Sequence, residues 1–275
     1  LNMSKKNSSV NLKSFFRDSI AVSQLYQKFK YKVSNLKKRS FVIAISGGPD
    51  SLALAALFKA YSYDKKIKIY YVLINHNIRK NSLNEAHQVK KLLKKQKINL
   101  NVLSNRKSII KNIQGNARKI RYNLLADFCK KKRAKTVVTA HNLEDQVETF
   151  FIRLSRGSGL TGLSGMKSIT KLKGNINLYR PLLDTNKKIL VEISRSIFGR
   201  FIVDPSNNNK KFLRTKIRLL KRPLENSGID YNQIIKSINN LASSNSILDE
   251  YLENIFGEVI RKEKNLIKID LKKFR

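Results

Sequence analysis

The hexapeptide Ser46-Gly47-Gly48-Pro49-Asp50-Ser51 constrains the fold of this chain more than any other segment. It follows an apolar run at 41–45 and precedes another at 52–58, an order that predicts a strand, a tight turn and a helix. The glycines let the backbone approach an anion closely, and the first N–H groups of the helix point towards it. Asp50 adds a carboxylate suited to Mg²⁺, and Ser51 adds a hydroxyl donor. The segment predicts a phosphate-binding turn.

An ordinary tight turn with a Ser/Asp helix cap is the alternative interpretation of this hexapeptide. Two common phosphate-binding patterns do not match it, because no Lys follows the glycines and the Gly-x-Gly-x-x-Gly spacing is missing. Ser-Gly-Gly-x-Asp-Ser resembles instead the pyrophosphate loop of enzymes that split ATP into AMP and pyrophosphate. That resemblance implies ATP as the nucleotide.

Downstream of the turn, apolar runs alternate with segments of helical periodicity. The strands are predicted at 67–74, 98–103, 136–141 and 176–180, and the helices at 83–97, 116–133 and 143–156. This alternation is typical of βαβ units and predicts an α/β fold, a Rossmann-like parallel sheet with helices on both faces. An amphipathic helix over 12–30 is expected to cover one side of the core.

The last third of the chain has a different pattern, which predicts a small, mainly helical C-terminal region. Near-heptad spacing over 232–260 is typical of one long helix or two packed ones. The stretch 266–271 resembles an isolated strand, which either joins an existing sheet or has lost its partners. The glycine-rich segment 156–166 is expected to be a mobile loop at the mouth of the site. We place the domain boundary between 1–185 and 186–275.

The charge of the chain is extreme, with 57 Lys and Arg against 19 Asp and Glu and a formal net charge of +38. Such a chain is expected to bind a polyanion, of which nucleic acid is the commonest. An AT-rich gene would also enrich Lys, Asn and Ile, so mutational bias is an alternative source of part of the charge. Acids are scarce before residue 200, yet Asp50, Glu144, Asp145 and Glu148 fall within two short motifs. This concentration indicates a chemical role.

A cytoplasmic protein with no membrane partner fits the remaining composition. The single cysteine, Cys129, excludes an internal disulfide and a Cys-x-x-Cys pair, and its apolar surroundings predict a buried thiol. No apolar run approaches the roughly 18 residues of a membrane span, and no secretory signal pattern opens the chain.

A second motif, Ala140-His141-Asn142-Leu143-Glu144-Asp145-Gln146-Val147-Glu148-Thr149, follows a predicted strand and begins a predicted helix. Its carboxylates can hold Mg²⁺ or orient a nucleophile. A transition-metal site at His141 and Asp145 and simple capping of the positive helix end are alternatives. Because ligands bind at the carboxyl ends of parallel strands, Ser46, the pair Asn75-His76 and His141 are expected to converge there.

Together the motifs resemble, in type and order, those of tRNA(Ile)-lysidine synthases, a family of pyrophosphate-loop ATPases. The resemblance spans about residues 40–220, and its further segments are Asn75-His76-x-Ile78-Arg79, Ala117-Arg118-x-x-Arg121-Tyr122, Arg156-Gly157-Ser158-Gly159-Leu160-x-Gly162-Leu163, Arg180-Pro181-Leu182-Leu183, Asp204-Pro205-Ser206-Asn207 and Arg214-x-x-x-Arg218. It implies an adenine nucleotide alpha hydrolase-like catalytic domain at 1–185. It also implies a tRNA-contacting region at 186–275, either as a short form or as the start of a truncated C-terminal domain.

The resemblance also implies a reaction and a set of site residues. In this family, ATP activates the C2 oxygen of the wobble cytidine in a CAU-anticodon isoleucine tRNA, and free lysine then displaces AMP to form lysidine. The implied catalytic residues are Asp50, Asp145, Glu144 and His141, with Mg²⁺ on Asp50 and Asp145 and with Asp145 or Glu144 as base or ammonium anchor for lysine. The implied ATP-binding residues are Ser46, Gly47, Gly48, Pro49, Asp50, Ser51, Asn75, His76 and Arg118. The implied tRNA-binding residues are Arg121, Arg156, Arg180, Arg214 and Arg218.

Three positions depart from the family pattern. Glu144 stands where a second Asp is usual, Gln114 where a Glu is common, and Thr215 where Asn is usual. Glu144 is therefore one methylene longer than the acid usual at this position. A homodimer is one expectation for the oligomeric state.

Two other functions compete with this interpretation. One is a related pyrophosphate-loop enzyme, either a tRNA thiolase or an amide-forming ligase; thiolation usually needs catalytic cysteines, and Cys129 is alone. The other is a basic RNA-binding protein with a vestigial ATP site, which predicts eroded loop residues. The hexapeptide retains its Ser, Gly and Asp residues.

Overall fold

The computed structural model describes residues 10–78, 81–105, 113–203, 209, 212–263 and 266–271. Contacts divide the chain into two compact units. The first comprises Leu1–Asp145 and Lys167–Asn209, and the second comprises Gln146–Met166 and Lys210–Arg275. The predicted boundary lies at 185, whereas in this division Lys167–Asn209 belongs to the first unit and Gln146–Met166 to the second.

The first unit contains a six-stranded sheet. Its strands are β1 (Ser40–Ile45), β2 (Lys68–Asn75), β3 (Leu100–Ser104), β4 (Thr136–Val138), β5 (Ile169–Leu172) and β6 (Ile176–Tyr179). Their order is β3-β2-β1-β4-β6-β5, and every pairing is parallel except that of β5 with β6. Because β2 and β3 lie on one side of β1 and β4 lies on the other, the topological switch point falls between β1 and β4. The predicted α/β fold is confirmed.

Helices of the first unit cover both faces of this sheet. They are α1 (Leu12–Asp18), α2 (Ile20–Asn35), α3 (Pro49–Asp64), α4 (Ser82–Lys95), α5 (Ile113–Lys131) and α8 (Lys187–Phe198), and α6 (Leu143–Leu154) begins in this unit. Along β1, Phe41 and Ile43 join the core on one face while Val42 joins Leu125 of α5 on the other. Helix α3 packs against α8 as well as the sheet, which explains why 52–58 is apolar on every side of the helix.

Three elements differ from the sequence-based expectations for the first unit. The predicted helix over 12–30 is two helices, because Ser19 adopts an extended conformation and interrupts the periodicity. The strand predicted over 136–141 ends at Val138, so the residues up to Asn142 are loop. The β5–β6 hairpin was not predicted, because β5 is short and half exposed and carries little apolar signal.

The second unit is mainly helical, as expected. It contains the rest of α6, the short α7 (Leu160–Leu163), α9 (Leu213–Leu219), α10 (Lys221–Asn226), the single long helix α11 (Tyr231–Val259), and the strands β7 (Ile260–Glu263) and β8 (Leu266–Ile269). The stretch predicted as an isolated strand pairs with β7 in an antiparallel hairpin, so it neither joins the larger sheet nor lacks a partner. In the described ranges, no helix is long and apolar enough to cross a membrane.

The glycine-rich segment 156–166, expected to be a mobile loop, contains the short helix α7 and is hydrogen-bonded within the second unit. Arg153 donates from Nη1 to the carbonyls of Gly162 (2.6 Å) and Gly165 (2.8 Å). Helix α7 packs on α11, where Thr161 donates to Asn245 Oδ1 at 2.8 Å. An added Cβ would lie 2.5 Å from Ser158 Cβ at Gly162 and 2.8 Å from Ile238 Cγ2 at Gly165, so the space at these two positions suits glycine.

Candidate active site

The phosphate-binding turn follows β1 and begins α3, as its sequence predicts. Gly47 has φ +86°, and a Cβ there would lie 2.5 Å from Cγ2 of Val89. Its carbonyl accepts a hydrogen bond from the backbone N–H of Ile202 at 2.9 Å. Gly47 is therefore fixed by its own conformation, by α4 and by the 201–203 segment, so a larger residue would displace the turn.

The Ser51 hydroxyl closes the turn from inside. Ser51 Oγ accepts from the backbone N–H groups of Ser46 (3.2 Å) and Gly47 (3.1 Å) and donates to the carbonyl of Gly48 (3.0 Å). The residue is buried, with 5% exposure, and its hydroxyl, predicted as a donor, donates inside the turn. Ser46 is exposed, and its hydroxyl lies 3.1 Å from Ser51 Oγ.

Asp50 supplies the carboxyl group of the turn, and its pKa differs from the ordinary value. It occupies the first turn of α3 after Pro49, and its Oδ1 is buried without a hydrogen-bond partner among the described residues. Burial raises its pKa to about 6, with Lys187 lowering the value and Asp145 raising it. A buried carboxylate oxygen without a partner, next to a second acid, fits a divalent cation bound by oxygen ligands. The Asp50–Asp145 pair therefore suits Mg²⁺.

Asn142 holds Asp145 at the start of α6. The Asn142 backbone N–H donates to Asp145 Oδ2 (3.1 Å), and the Asp145 N–H donates to Asn142 Oδ1 (3.0 Å), a reciprocal capping arrangement. The Asn142 side chain also hydrogen-bonds Asp50 and so lowers the pKa of that carboxyl group. Asn142 thus connects the two acids of the candidate site.

Glu144 makes a different contact from its neighbour. Its Oε2 accepts a hydrogen bond from the backbone N–H of Lys187 at 2.9 Å, in the first turn of α8. An acid in this position stabilises the positive end of that helix. This contact is with the start of α8, whereas the predicted capping alternative concerned the helix that the motif itself begins, where Asn142 and Asp145 exchange hydrogen bonds.

The histidines lie at the carboxyl ends of their strands, as predicted. His141 Nδ1 lies 2.9 Å from Thr139 Oγ1. Both ring nitrogens of His76 are buried without partners among the residues described, and burial and the nearby Arg121 lower the pKa of His76 to about 4. His76 is therefore neutral at physiological pH and offers either a donor or an acceptor to a ligand.

Asn75 is the last residue of β2 and precedes His76. Its Oδ1 accepts from the backbone N–H of Asn77, while its buried Nδ2 has no partner in the described part of the chain. Across the described ranges, no group of three His, Cys, Asp or Glu could hold a metal ion.

The predicted arginines divide between exposed and anchored positions. Arg118 and Arg121 are exposed on α5, and the Arg118 guanidinium lies 5.1 Å from the Tyr122 ring centroid. In the second unit Arg156 is exposed, whereas Arg214 and Arg218 clamp the buried Glu148. Their Nε atoms lie 2.7 and 2.5 Å from its two carboxylate oxygens.

Arg180 has a structural position that does not fit its predicted tRNA-binding role. It is only 6% exposed, and its Nη1 donates to the carbonyl of Lys167 (2.7 Å) and to Thr170 Oγ1 (3.2 Å). The guanidinium thereby fixes the start of the β5–β6 hairpin. These contacts favour a structural role for Arg180.

Some sequence-predicted residues lie outside the described part of the chain. These are Arg79, the segment Asp204-Pro205-Ser206-Asn207 and the side chain of Gln114. Sequence reasoning also missed two residues that touch the acids, Asn142 and Lys187. Asn142 stood inside the second motif, where its N-cap chemistry was a usable signal. Lys187 had no such signal, because its proximity to Asp50 arises from the fold.

Comparison with known proteins agrees with this geometry. A family model described as a PP-loop domain matches residues 21–223. The chain is 40% identical over 186 residues to a tRNA(Ile)-lysidine synthase from Orientia tsutsugamushi (strain Boryong), covering 66% of this chain and 41% of that protein. It is 34% identical over 238 residues to a tRNA(Ile)-lysidine synthase from Wolbachia pipientis wMel, covering 84% of this chain and 54% of that protein. The chain thus spans about half the length of the curated relatives it matches.

Among solved structures, a tRNA thiolase from Methanococcus maripaludis has a TM-score of 0.68 and 15% sequence identity, covering 88% of this chain and 86% of that one. At this identity the likeness shows a shared fold. The family match covers most of the chain and includes both acidic motifs. The chain therefore belongs to the PP-loop domain family.

Proposed function

We propose that this protein ligates lysine to C2 of the wobble cytidine in CAU-anticodon tRNA(Ile), forming lysidine and releasing AMP and pyrophosphate. One observation carries the proposal: a single unit brings together the phosphate turn, the unpartnered Asp50 oxygen and the acidic start of α6. The names of the relatives supply the substrate, since those matched at 34–40% identity are tRNA(Ile)-lysidine synthases.

In the first step, the C2 oxygen of the cytidine attacks the α-phosphorus of ATP. The bond between the α- and β-phosphates breaks, pyrophosphate leaves, and the tRNA base carries an AMP group. The turn can bind the phosphates through the N–H groups of the first turn of α3 and the exposed Ser46 hydroxyl. His76 and Asn75 present buried polar atoms at the neighbouring strand end, where they can contact the nucleotide.

Asp50 and Asp145 would hold Mg²⁺, which supplies positive charge to polarise the phosphates and stabilise departing pyrophosphate. Lys187 lies close enough to lower the pKa of Asp50. Its ammonium group keeps that carboxyl group ionised near neutral pH despite burial. Glu144 fixes Lys187 through the backbone N–H of that residue.

In the second step, the amine of free lysine attacks C2 and the bond from C2 to the AMP oxygen breaks. The amine must be neutral to attack, so a group of the protein has to accept its proton. Asp145 and Glu144 are the two carboxylates at this connection, each accepting one backbone hydrogen bond, and either can anchor the lysine ammonium or take its proton. His141 lies on the same strand-to-helix connection and can orient either substrate.

The tRNA is expected to contact exposed arginines in both units. Arg118 and Arg121 lie on α5 of the first unit, and Arg156 lies after α6 in the second. Arg214 and Arg218 are ion-paired yet keep about a third of their side-chain surface exposed. Guanidinium groups held in this way can donate to phosphates at little entropic cost.

Thiolation is less well supported than ligation. The only cysteine of the chain, Cys129, is fully buried in α5, and burial raises the pKa of its thiol to about 12. A thiol in that state is a poor nucleophile. A binding protein with a vestigial ATP site is also disfavoured, because the turn retains the glycine conformation and the buried Asp50 oxygen.

The proposal is tested by following the fate of radiolabelled ATP. With a CAU-anticodon tRNA(Ile) transcript and lysine, the protein should release AMP and pyrophosphate in equal amounts. A transcript with a different wobble base serves as the matched control and should give neither product. AMP release that does not depend on the tRNA would contradict the proposal, as would tRNA binding without nucleotide cleavage.

A further inference from the structure

Cations concentrate at the amino edge of the parallel sheet, opposite the carboxyl edge that carries the candidate site. We define the amino-edge surface as residues 37–39, 65–68, 94–97, 130–135 and 171–173, the turns that lead into the five parallel strands. Every Lys and Arg in these ranges is exposed, and the ranges contain no acid. The proposed reaction uses none of them.

Acidic partners do not neutralise this surface. Among the described residues, none of its cations forms a salt bridge with an acid. The adjacent acid, Asp64, accepts a hydrogen bond from the Tyr26 hydroxyl at 3.2 Å. Burial, and then the like charge of Lys97, lower the pKa of Lys59, consistent with crowded positive charge.

Three turns place a cation where the backbone disfavours it. After α2, α4 and α5 the chain turns through a left-handed residue, with φ 48° at Lys37, 55° at Lys97 and 54° at Arg133. Glycine or asparagine normally occupies this position, because a longer side chain is strained there. At the end of α4, both hydrogen bonds typical of a left-handed helix end are present. The N–H of Lys97 donates to the carbonyl of Lys94, and the N–H of Ile98 donates to the carbonyl of Leu93.

The same chain uses glycine at equivalent helix ends elsewhere. Helices α6 and α10 end with the same pair of hydrogen bonds, and Gly157 and Gly228 occupy the left-handed position. Asparagine adopts this conformation at Asn77 and Asn175. Since an AT-rich gene encodes asparagine as readily as lysine, mutational bias alone does not account for cations at these three left-handed positions.

We propose that the amino-edge surface binds the phosphate backbone of RNA, as a contact separate from the catalytic edge. Six strands at their usual spacing give an edge about 24 Å long, which spans several phosphates. None of the exposed large apolar side chains lies in the five ranges, so the surface has no group to insert into a membrane. The contact does not depend on the lysidine reaction.

The test removes charge without straining the fold. The variant K37N/K97N/R133N replaces three left-handed cations with a residue that favours the conformation, so we expect it to fold normally. The matched control K13Q/R17Q/K90Q removes three exposed cations from helix positions outside the surface and outside 186–275. Binding to a tRNA transcript and to an RNA duplex without an anticodon loop is measured across a salt series, and melting is followed by circular dichroism.

We expect the amino-edge variant to bind both RNAs more weakly and its salt slope to fall by about 2 to 3, while the control keeps the parental slope. Equal losses in the two variants would overturn the proposal, because diffuse charge then explains binding. Unchanged RNA affinity with a lower melting temperature would also overturn it and assign the cations to the helix dipoles. Loss of binding to anionic lipid vesicles with RNA binding intact would indicate a membrane contact instead.

Discussion

Asn142 and Asp145 exchange two hydrogen bonds at the start of α6, and the same Asn142 side chain hydrogen-bonds Asp50. One buried amide therefore links the acid of the phosphate turn to the acid of the second motif. The link joins the carboxyl ends of β1 and β4, on either side of the topological switch point. This connection gives Asn142 a positioning role between the two acids.

Asn142→Ala should destabilise the protein by about 1 kcal/mol, the usual cost of losing a helix cap. It should also raise the pKa of Asp50, because a hydrogen bond that favours the charged form is lost. The acid limb of the pH profile for AMP formation should therefore move to higher pH. Asn11→Ala removes the cap of α1 and is the matched control, with a similar stability loss and an unshifted profile. Identical profiles for the two variants would contradict the role of Asn142.

Asp50 should make stability depend on pH in an unusual direction. Its pKa is about 6 in the folded protein against an ordinary 3.8, so between these values the folded state binds more protons than the unfolded state. The free energy of unfolding should then fall as pH rises through this window, by roughly 3 kcal/mol at most. Urea denaturation without Mg²⁺ measures this slope.

Asp50→Asn should remove that slope and raise stability at pH 7, while Asp127→Asn on the exposed face of α5 should change neither. Added Mg²⁺ should stabilise the parent more than the Asp50→Asn variant, because bound metal offsets the buried charge. If the free energy of unfolding of the unsubstituted protein rises with pH between 4 and 6, the raised pKa of Asp50 is contradicted.

The two glycines of the turn should respond differently to substitution. Gly47→Ala combines a left-handed conformation with a 2.5 Å approach to Val89 Cγ2, so we expect a loss of about 2 kcal/mol or more and no nucleotide binding. At Gly48 the nearest atom to an added Cβ is Ser46 Oγ at 3.6 Å, so Gly48→Ala should fold normally. Gly159→Ala, where nothing lies within 4 Å, is the control. Equal stability of all three variants would contradict the geometry of the turn.

Substitution of Arg180 should lower stability, whereas substitution of Arg156 should weaken RNA binding. Arg180→Gln breaks buried charge-assisted hydrogen bonds to Lys167 and Thr170, so we expect a loss of about 2 kcal/mol with RNA affinity of the folded fraction unchanged. Arg156→Gln alters an exposed side chain, so it should leave stability unchanged and weaken RNA binding. Thermal melts and filter binding measure the two effects. Weaker RNA binding by Arg180→Gln with unchanged stability would show that Arg180 contacts RNA.

Local patterns predicted the part of the fold that builds the phosphate turn. The apolar run of β1, the glycines and the apolar helix α3 are adjacent in sequence, and short-range physics determines all three. The placement of Asn75-His76 and His141 also followed from the sequence, because parallel strands end at a common edge. The convergence of these residues could be predicted without knowledge of their contacts.

Contacts between distant segments could not be predicted. Glu144 caps α8 through a residue 43 positions away, and Arg180 is buried by a hairpin whose short strand left little periodicity. Ser51 was expected to supply a hydroxyl donor, and the sequence does not reveal that the carbonyl of Gly48 accepts its hydrogen bond. In each case the side chain serves the scaffold, and only the packed structure distinguishes that role from contact with substrate.

Incorporation of labelled lysine tests the central claim most directly. The full chain is incubated with ATP, Mg²⁺, labelled lysine and a CAU-anticodon tRNA(Ile) transcript, with Asp50→Asn as the inactive control and Asp127→Asn as the active one. We predict one labelled lysine per tRNA, located at the wobble nucleotide after nuclease digestion, and AMP in equal amount. Absence of labelled tRNA under conditions in which the protein is folded and binds the transcript would contradict the assignment.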